Sequence, residues 1–190
     1  DFTSLLNRLK QPNLSRELLV RAAKIKGSSG RELFAIDATA GMGEDALLLA
    51  AAGFRVRMYE YDPVIAALLA DTIERAKNEK YLDRIVKRME LICGDSIAAM
   101  RETDIRPDVI LLDPMFPERN KSALIKKKFQ LLQELERPCS NEEELLEAAI
   151  TARPKKIIIK RPAKGPYLAG RKPDYVIEGK AVRYDCLVFA

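Results

Sequence analysis

The sequence predicts an α/β fold: a mostly parallel sheet with helices on both faces, closed by a C-terminal antiparallel hairpin. Three observations predict it. From Leu33 onward, short apolar strand patterns alternate with helical ones, the signature of a parallel sheet covered on both sides. The first strand runs directly into a glycine-bearing turn, Asp37-Ala38-Thr39-Ala40-Gly41-Met42-Gly43. Tyr175–Glu178 and Ala181–Phe189 face each other across Gly179-Lys180, as the arms of a hairpin.

Each element has its own signal. Leu5, Leu6 and Leu9, then Leu14, Leu18, Leu19 and Ala22, recur at helical spacing within residues 3–25. Pro12 divides that region in two, because its ring cannot continue a helix. Gly27-Ser28-Ser29-Gly30 is a flexible break. It separates an N-terminal helical extension, 1–30, from the main domain, 31–190. Leu33–Asp37 is the first strand. Glu44–Ala52 is a helix stopped by Gly53, and Phe54–Tyr59 is the second strand. Pro63–Lys80 reads as one long helix with Asp62 as its N-cap and Pro63 at its first position. Arg88–Cys93 and Val109–Asp113 are the third and fourth strands, and Lys121–Glu136 is helical. A further helix opens at Ser140, whose spacing to Glu143 makes a capping box. Lys156–Lys160 is the fifth strand.

Composition narrows the chemistry. A chain of 190 residues with 47% hydrophobic and 32% charged residues has the balance of a soluble globular protein with an ample core. No apolar run approaches the ~20 residues that cross a bilayer. Cys93, Cys139 and Cys186 are widely spaced and odd in number, which points to reduced thiols, a cytoplasmic location and small buried hydrophobes. Histidine is absent, which removes Ser-His-Asp triads and most zinc sites, so no metal is expected. The net charge of +5 favours a polyanionic partner.

In a sheet of this kind the ligand sits beyond the carboxyl ends of the strands, and that is where the acids fall. Gly41 and Gly43 let the first loop approach a ligand closely. Gly41, Gly43 and Ala46 also fit a dinucleotide fingerprint, so NAD is a rival. A pyrophosphate would lie on the N-terminus of the next helix, yet that helix opens with Glu44 and Asp45. Those acids, with Asp37, suit a cation such as S-adenosyl-L-methionine, which carries a sulfonium and an ammonium. Glu60 ends the second strand at roughly the 20-residue spacing of an acid that grips ribose hydroxyls. Asp95, with Ser96, follows the third strand and could accept from an adenine amine; it could equally cap the next helix.

The fourth strand runs into Asp113-Pro114-Met115-Phe116-Pro117. This resembles the [D/N]-P-P-[Y/F] motif of amino-group methyltransferases, with Met115 in place of the second proline. An exocyclic amine of a base is a weak nucleophile. A carboxylate and nearby carbonyls can accept its N–H bonds and align its lone pair, while Phe116 can stack on the base. The prolines stiffen the loop, so part of the alignment is pre-set.

D-A-T-A-G-M-G-E-D, R-V-R-M-Y-E, and L-D-P-M-F-P followed by K-S-A-L together resemble the J-type bacterial small-subunit ribosomal RNA guanine-N2 methyltransferases. The similarity runs from about Asp37 to Arg161 and includes I-I-I-K-R-P at Ile157–Pro162. It implies a Rossmann-like class I methyltransferase fold with a mostly parallel seven-stranded sheet. It also implies S-adenosyl-L-methionine as cofactor, held by Glu44 and Asp45, by Glu60 and Tyr61, by Asp95 and Ser96, and by Asp113; the strand-end reading adds the first loop itself (Asp37, Ala38, Gly41, Gly43). Asp113, Pro114 and Phe116 would carry the transfer. The resemblance departs at Glu44 and Tyr61, where family members commonly have arginine, and at Asp95, where they often have serine. Family members also have a longer N-terminal region.

Basic residues supply the RNA side. Lys121, Lys126, Lys127 and Lys128 follow the Asp113–Pro117 loop; Lys155, Lys156, Lys160, Arg161 and Lys164 surround the fifth strand; Arg171 and Lys172 come later. Lys121, Lys160 and Arg161 are the expected substrate contacts, with ribosomal RNA or the small ribosomal subunit as partner. Phosphate contacts of this kind give salt-dependent affinity without sequence specificity. The remaining alternatives are methylation of another amine, such as adenine N6 or a protein glutamine, and a non-catalytic RNA-binding module of the same fold.

Overall fold

The computed structural model describes residues 1–27, 30–114 and 142–189. A seven-stranded sheet forms its centre. The strands are β1 (Leu33–Asp37), β2 (Phe54–Glu60), β3 (Met89–Cys93), β4 (Val109–Leu112), β5 (Lys156–Pro162), β6 (Tyr175–Glu178) and β7 (Val182–Val188). Their spatial order is β3-β2-β1-β4-β5-β7-β6. The first five run parallel, while β7 pairs antiparallel with both β5 and β6. The expected mixed sheet and its terminal hairpin are therefore present. Strand order reverses between β1 and β4, which opens a crevice at their carboxyl ends.

Two apolar cores lie on opposite faces of the sheet. Alternation along each strand divides the side chains between them. Ala35, Val109, Leu111, Ile158 and Cys186 belong to the first core. Ile36, Ile110, Leu112, Ile157, Ile159 and Leu187 belong to the second. The first face is covered by α4 (Glu44–Ala51), α5 (Pro63–Ala76) and α6 (Lys80–Val86). The N-terminal pieces also cover it: a 3-10 turn (Phe2–Leu5), then α1 (Leu6–Leu9), α2 (Asn13–Arg16) and α3 (Leu18–Ala22). The second face is covered by α7 (Ser96–Glu102) and α8 (Glu142–Thr151). Helix α4 is apolar almost all round because α3 and α6 pack on it as well as the sheet.

Some boundaries differ from the sequence expectation. The long helix from Pro63 stops at Ala76, and α6 begins afresh at Lys80, where the Glu79 carboxylate accepts from the Leu82 amide. A local cap thus interrupts a helical periodicity that continues on both sides. The N-terminal helical region is four short pieces. Cys186 is buried as expected, but Cys93 is exposed at the end of edge strand β3. Cys139, the helix expected over Lys121–Glu136 and the Ser140 cap lie outside the described residues. Among the described residues no helix is long and apolar enough to cross a membrane.

Candidate functional site

The loop after β1 is held in shape by its neighbours. Gly41 and Gly43 adopt φ of 51° and 74°, left-handed values that a side chain resists. The Ala38 amide donates to the Leu111 carbonyl and the Ala40 amide to the Tyr59 carbonyl. One oxygen of Glu60 accepts from the Gly41 amide at 2.8 Å, and the other from the Asp62 amide at 2.9 Å. Buried Glu60 therefore braces the glycine loop. Each of its oxygens retains a further lone pair with which to accept a ligand hydroxyl.

Asp37 is buried, and its carboxylate accepts from the Thr39 amide at 3.2 Å. Burial, reinforced by Asp45, pushes its pKa up to about 7. The Thr39 hydroxyl accepts from the Asp113 amide at 2.7 Å, tying the loop after β4 to the loop after β1. Asp113 follows β4 directly, and burial pushes its carboxyl upward while Lys160 opposes the shift.

Lys160 lies between two of these acids. Its Nζ is 2.6 Å from Asp45 Oδ2 and 3.0 Å from Asp113 Oδ2. Burial disfavours its ammonium, but Asp45 and Asp113 outweigh that and hold its pKa above the ordinary lysine value. Tyr184 pairs with Lys160 across the β5–β7 ladder and is buried on the same face. Burial and Asp45 push its phenol upward.

The remaining expected residues fall at the same edge with different surroundings. Glu44 is exposed in the first turn of α4. Tyr61 is 70% exposed, beyond β2. Asp95 caps α7, its carboxylate accepting from the Ile97 amide at 2.8 Å, and Ser96 opens that helix. The local capping reading of Asp95 is therefore realised. Pro114 is buried beside Asp113. Phe116 and Lys121, like Met115, Pro117 and Lys126–Lys128, lie outside the described residues.

Two of the basic expectations need correcting. The Arg161 side chain is wholly buried; its Nε donates to the Pro166 carbonyl at 2.8 Å and it pairs with Glu142 at 3.2 Å. It points into the second core, so it braces the turn after β5 and offers no surface to a phosphate. Lys155 precedes β5 and Lys156 begins it, at the end of the strand remote from Asp113. Lys156 is buried and donates to the Ala22 and Lys24 carbonyls. Lys164, Arg171 and Lys172 are exposed. Sequence reasoning did not single out Thr39 or Tyr184. Thr39 sits inside the motif. Tyr184 could have been found from the hairpin pairing, which sets it opposite Lys160.

Asp37, Asp45 and Asp113 outnumber the one lysine among them. That donor set suits a cationic ligand and repels a phosphate, so it favours a sulfonium cofactor over a dinucleotide.

Comparison with known proteins agrees with this chemistry. Residues 1–189 match a family model described as "Putative SAM-dependent methyltransferase". Ribosomal RNA small subunit methyltransferase J of Thioalkalivibrio sulfidiphilus is 44% identical over 179 residues, 93% of this chain and 69% of that protein. The protein of the same name from Dechloromonas aromatica is 42% identical over 183 residues, 95% of this chain and 74% of its own length. A crystal structure of a SAM-dependent methyltransferase from Neisseria gonorrhoeae superposes with a TM-score of 0.69 at 31% identity. The match covers 90% of this chain and 70% of that one.

Proposed function

The chain belongs to the family of S-adenosylmethionine-dependent methyltransferases that includes ribosomal RNA small subunit methyltransferase J, and from that premise we propose that it methylates the exocyclic N2 amine of a guanosine in small-subunit ribosomal RNA. The observation that carries the reading is the convergence of Asp37, Asp45 and Asp113 around one strand-edge crevice. The cofactor, when bound, supplies an electrophilic methyl group. Asp37, Asp45 and the braced glycine loop would hold its charged portion, with Glu60 accepting from ribose hydroxyls and Asp95 and Ser96 on the adenine side. Glu44, Tyr61 and Asp95 are the exposed members of that set.

Asp113 would accept a hydrogen bond from the acceptor amine and take up its surplus proton. Pro114 contributes its carbonyl and stiffness, and Phe116 a stacking surface for the base. Thr39 keeps the Asp113 backbone in register with the cofactor loop. The amine reading rests on Asp113-Pro114-Met115-Phe116-Pro117 and the family resemblance. The guanine N2 position is the finer part of the proposal.

The test is labelled methyl transfer to small subunits from a strain lacking the gene, followed by nucleoside analysis. N2-methylguanosine is the expected product; N6-methyladenosine or a labelled protein would replace this reading. Asp113→Ala should lose on the order of 100-fold or more in kcat at saturating cofactor. Full turnover by this variant would remove Asp113 from its role.

A further inference from the structure

Lys160 joins two loops that have different tasks. Period-two alternation sends it to the same face as Ile158, where Asp45 lies in the first turn of α4. The β4–β5 ladder pairs Leu112 with Ile159, so the next step along both strands sets Asp113 beside Lys160. The ammonium meets both carboxylates, at 2.6 Å and 3.0 Å, with the three side chains only 18–31% exposed. Arg161, one residue on, turns to the opposite face and meets Glu142. A surface cation reaching for RNA has no need of such a seat. One that must hold two carboxylates together does.

We propose that Lys160 is a positioning residue: it clamps the Asp113 carboxylate to Asp45 of the cofactor loop's helix, fixing its orientation toward the acceptor amine. The role rests on the reading of Asp113 given above. Asp113 is thereby gripped twice, through its amide by Thr39 and through its carboxylate by Lys160. The groups that face this ammonium are Asp37 from β1, Asp45 from α4, Asp113 after β4 and Tyr184 from β7, with Arg8 of α1 facing Asp45 and Tyr184. Arg161 acts on Asp113 from the other face, but Lys160 is the cation in contact with both Asp45 and Asp113, so its removal leaves like charges adjacent.

The experiment compares the parent with Lys160→Met and Lys160→Arg. The Asp113 carboxyl carbon is titrated by carbon-13 NMR in the cofactor-free protein, assigned with Asp113→Asn. In Lys160→Met its midpoint should rise by about one to three pH units, the effect of a close opposite charge, and Lys160→Arg should restore most of it. With subunits as substrate, Lys160→Met should lose at least ~10-fold in kcat, and the acid limb of its pH profile should move upward with the midpoint. KM for RNA should stay within about twofold. An unmoved midpoint overturns the clamp. So does a raised KM for RNA with a reduced salt slope and unchanged kcat, which would make Lys160 a phosphate contact. The titration is read without turnover, so an inactive parent would refute the proposed reaction and leave the clamp to be judged separately.

Discussion

Asp37 is a carboxyl kept inside the fold beside two other acids, and the cost is a proton. Its folded pKa lies near 7 and its ordinary value is 3.8. A carboxyl raised in this way favours the folded state fully below pH 3.8, and that contribution is lost as pH rises through about 7. Asp37→Asn should therefore be more stable than the parent at pH 8. The shift corresponds to an upper limit of about 4 kcal/mol, reduced by the cost of burying an amide. The difference should vanish near pH 4, and urea titrations at both values check the sign. The same substitution should abolish tight binding of S-adenosylmethionine, since a cation is what makes the ionised form favourable. In the parent, affinity should rise as pH increases through about 7, with a proton released on binding. Calorimetry in buffers of different ionisation enthalpy measures that proton directly.

At the scale of elements, the entry to α4 couples backbone shape to packing. A Cβ on Gly43 would lie 2.6 Å from Leu69 Cδ1 and 3.4 Å from Phe2 Cζ, in a left-handed conformation. Gly43→Ala should cost about 2–4 kcal/mol in urea unfolding, from strained φ and overpacking together. Most of this architecture was legible in sequence. β1, β4 and the hairpin strand β6 announce themselves as apolar runs bounded by turn residues, and Asp62 with Pro63 marks the start of α5. The acids at the ends of the first four strands were legible for the same reason, because strand ends are where such a sheet opens. The fates of Lys160, Arg161 and Lys156 were not. They read as one basic cluster, whereas alternation along β5 sends Lys156 and Lys160 to one face and Arg161 to the other. Partners from distant segments then decide each role: Asp45 for one, Glu142 for another, the end of α3 for the third. Glu60 reads from sequence as an acid for ribose hydroxyls, whereas its bracing of the Gly41 amide depends on a loop conformation that no local pattern encodes.

At the scale of the molecule, the N-terminal helices belong to the first core. Phe2, Leu5, Leu9, Leu14 and Leu19 are buried with residues of β1, β2 and α4. Phe2 reaches the glycine loop, and the Tyr81 hydroxyl of α6 donates to the Leu9 carbonyl at 2.9 Å. Lys156 fastens the far end. Its ammonium donates to the Ala22 carbonyl at 2.8 Å and the Lys24 carbonyl at 2.7 Å, stopping α3 against the start of β5, and lies 5.5 Å from the centre of the Tyr175 ring. Orphan carbonyls at a helix end favour a cation, and two charge-assisted bonds in a buried place are worth more than an exposed pair. Lys156→Met keeps most of the apolar stem and removes both bonds. It should cost about 2–4 kcal/mol of stability, while kcat and the salt slope of RNA binding at temperatures well below melting stay at parental values. Lys164, Arg171 and Lys172 are exposed, and their joint replacement should instead flatten the salt slope with stability nearly unchanged. A reduced salt slope in Lys156→Met would mean that the ammonium reaches RNA after all, and that the N-terminal helices are held without it.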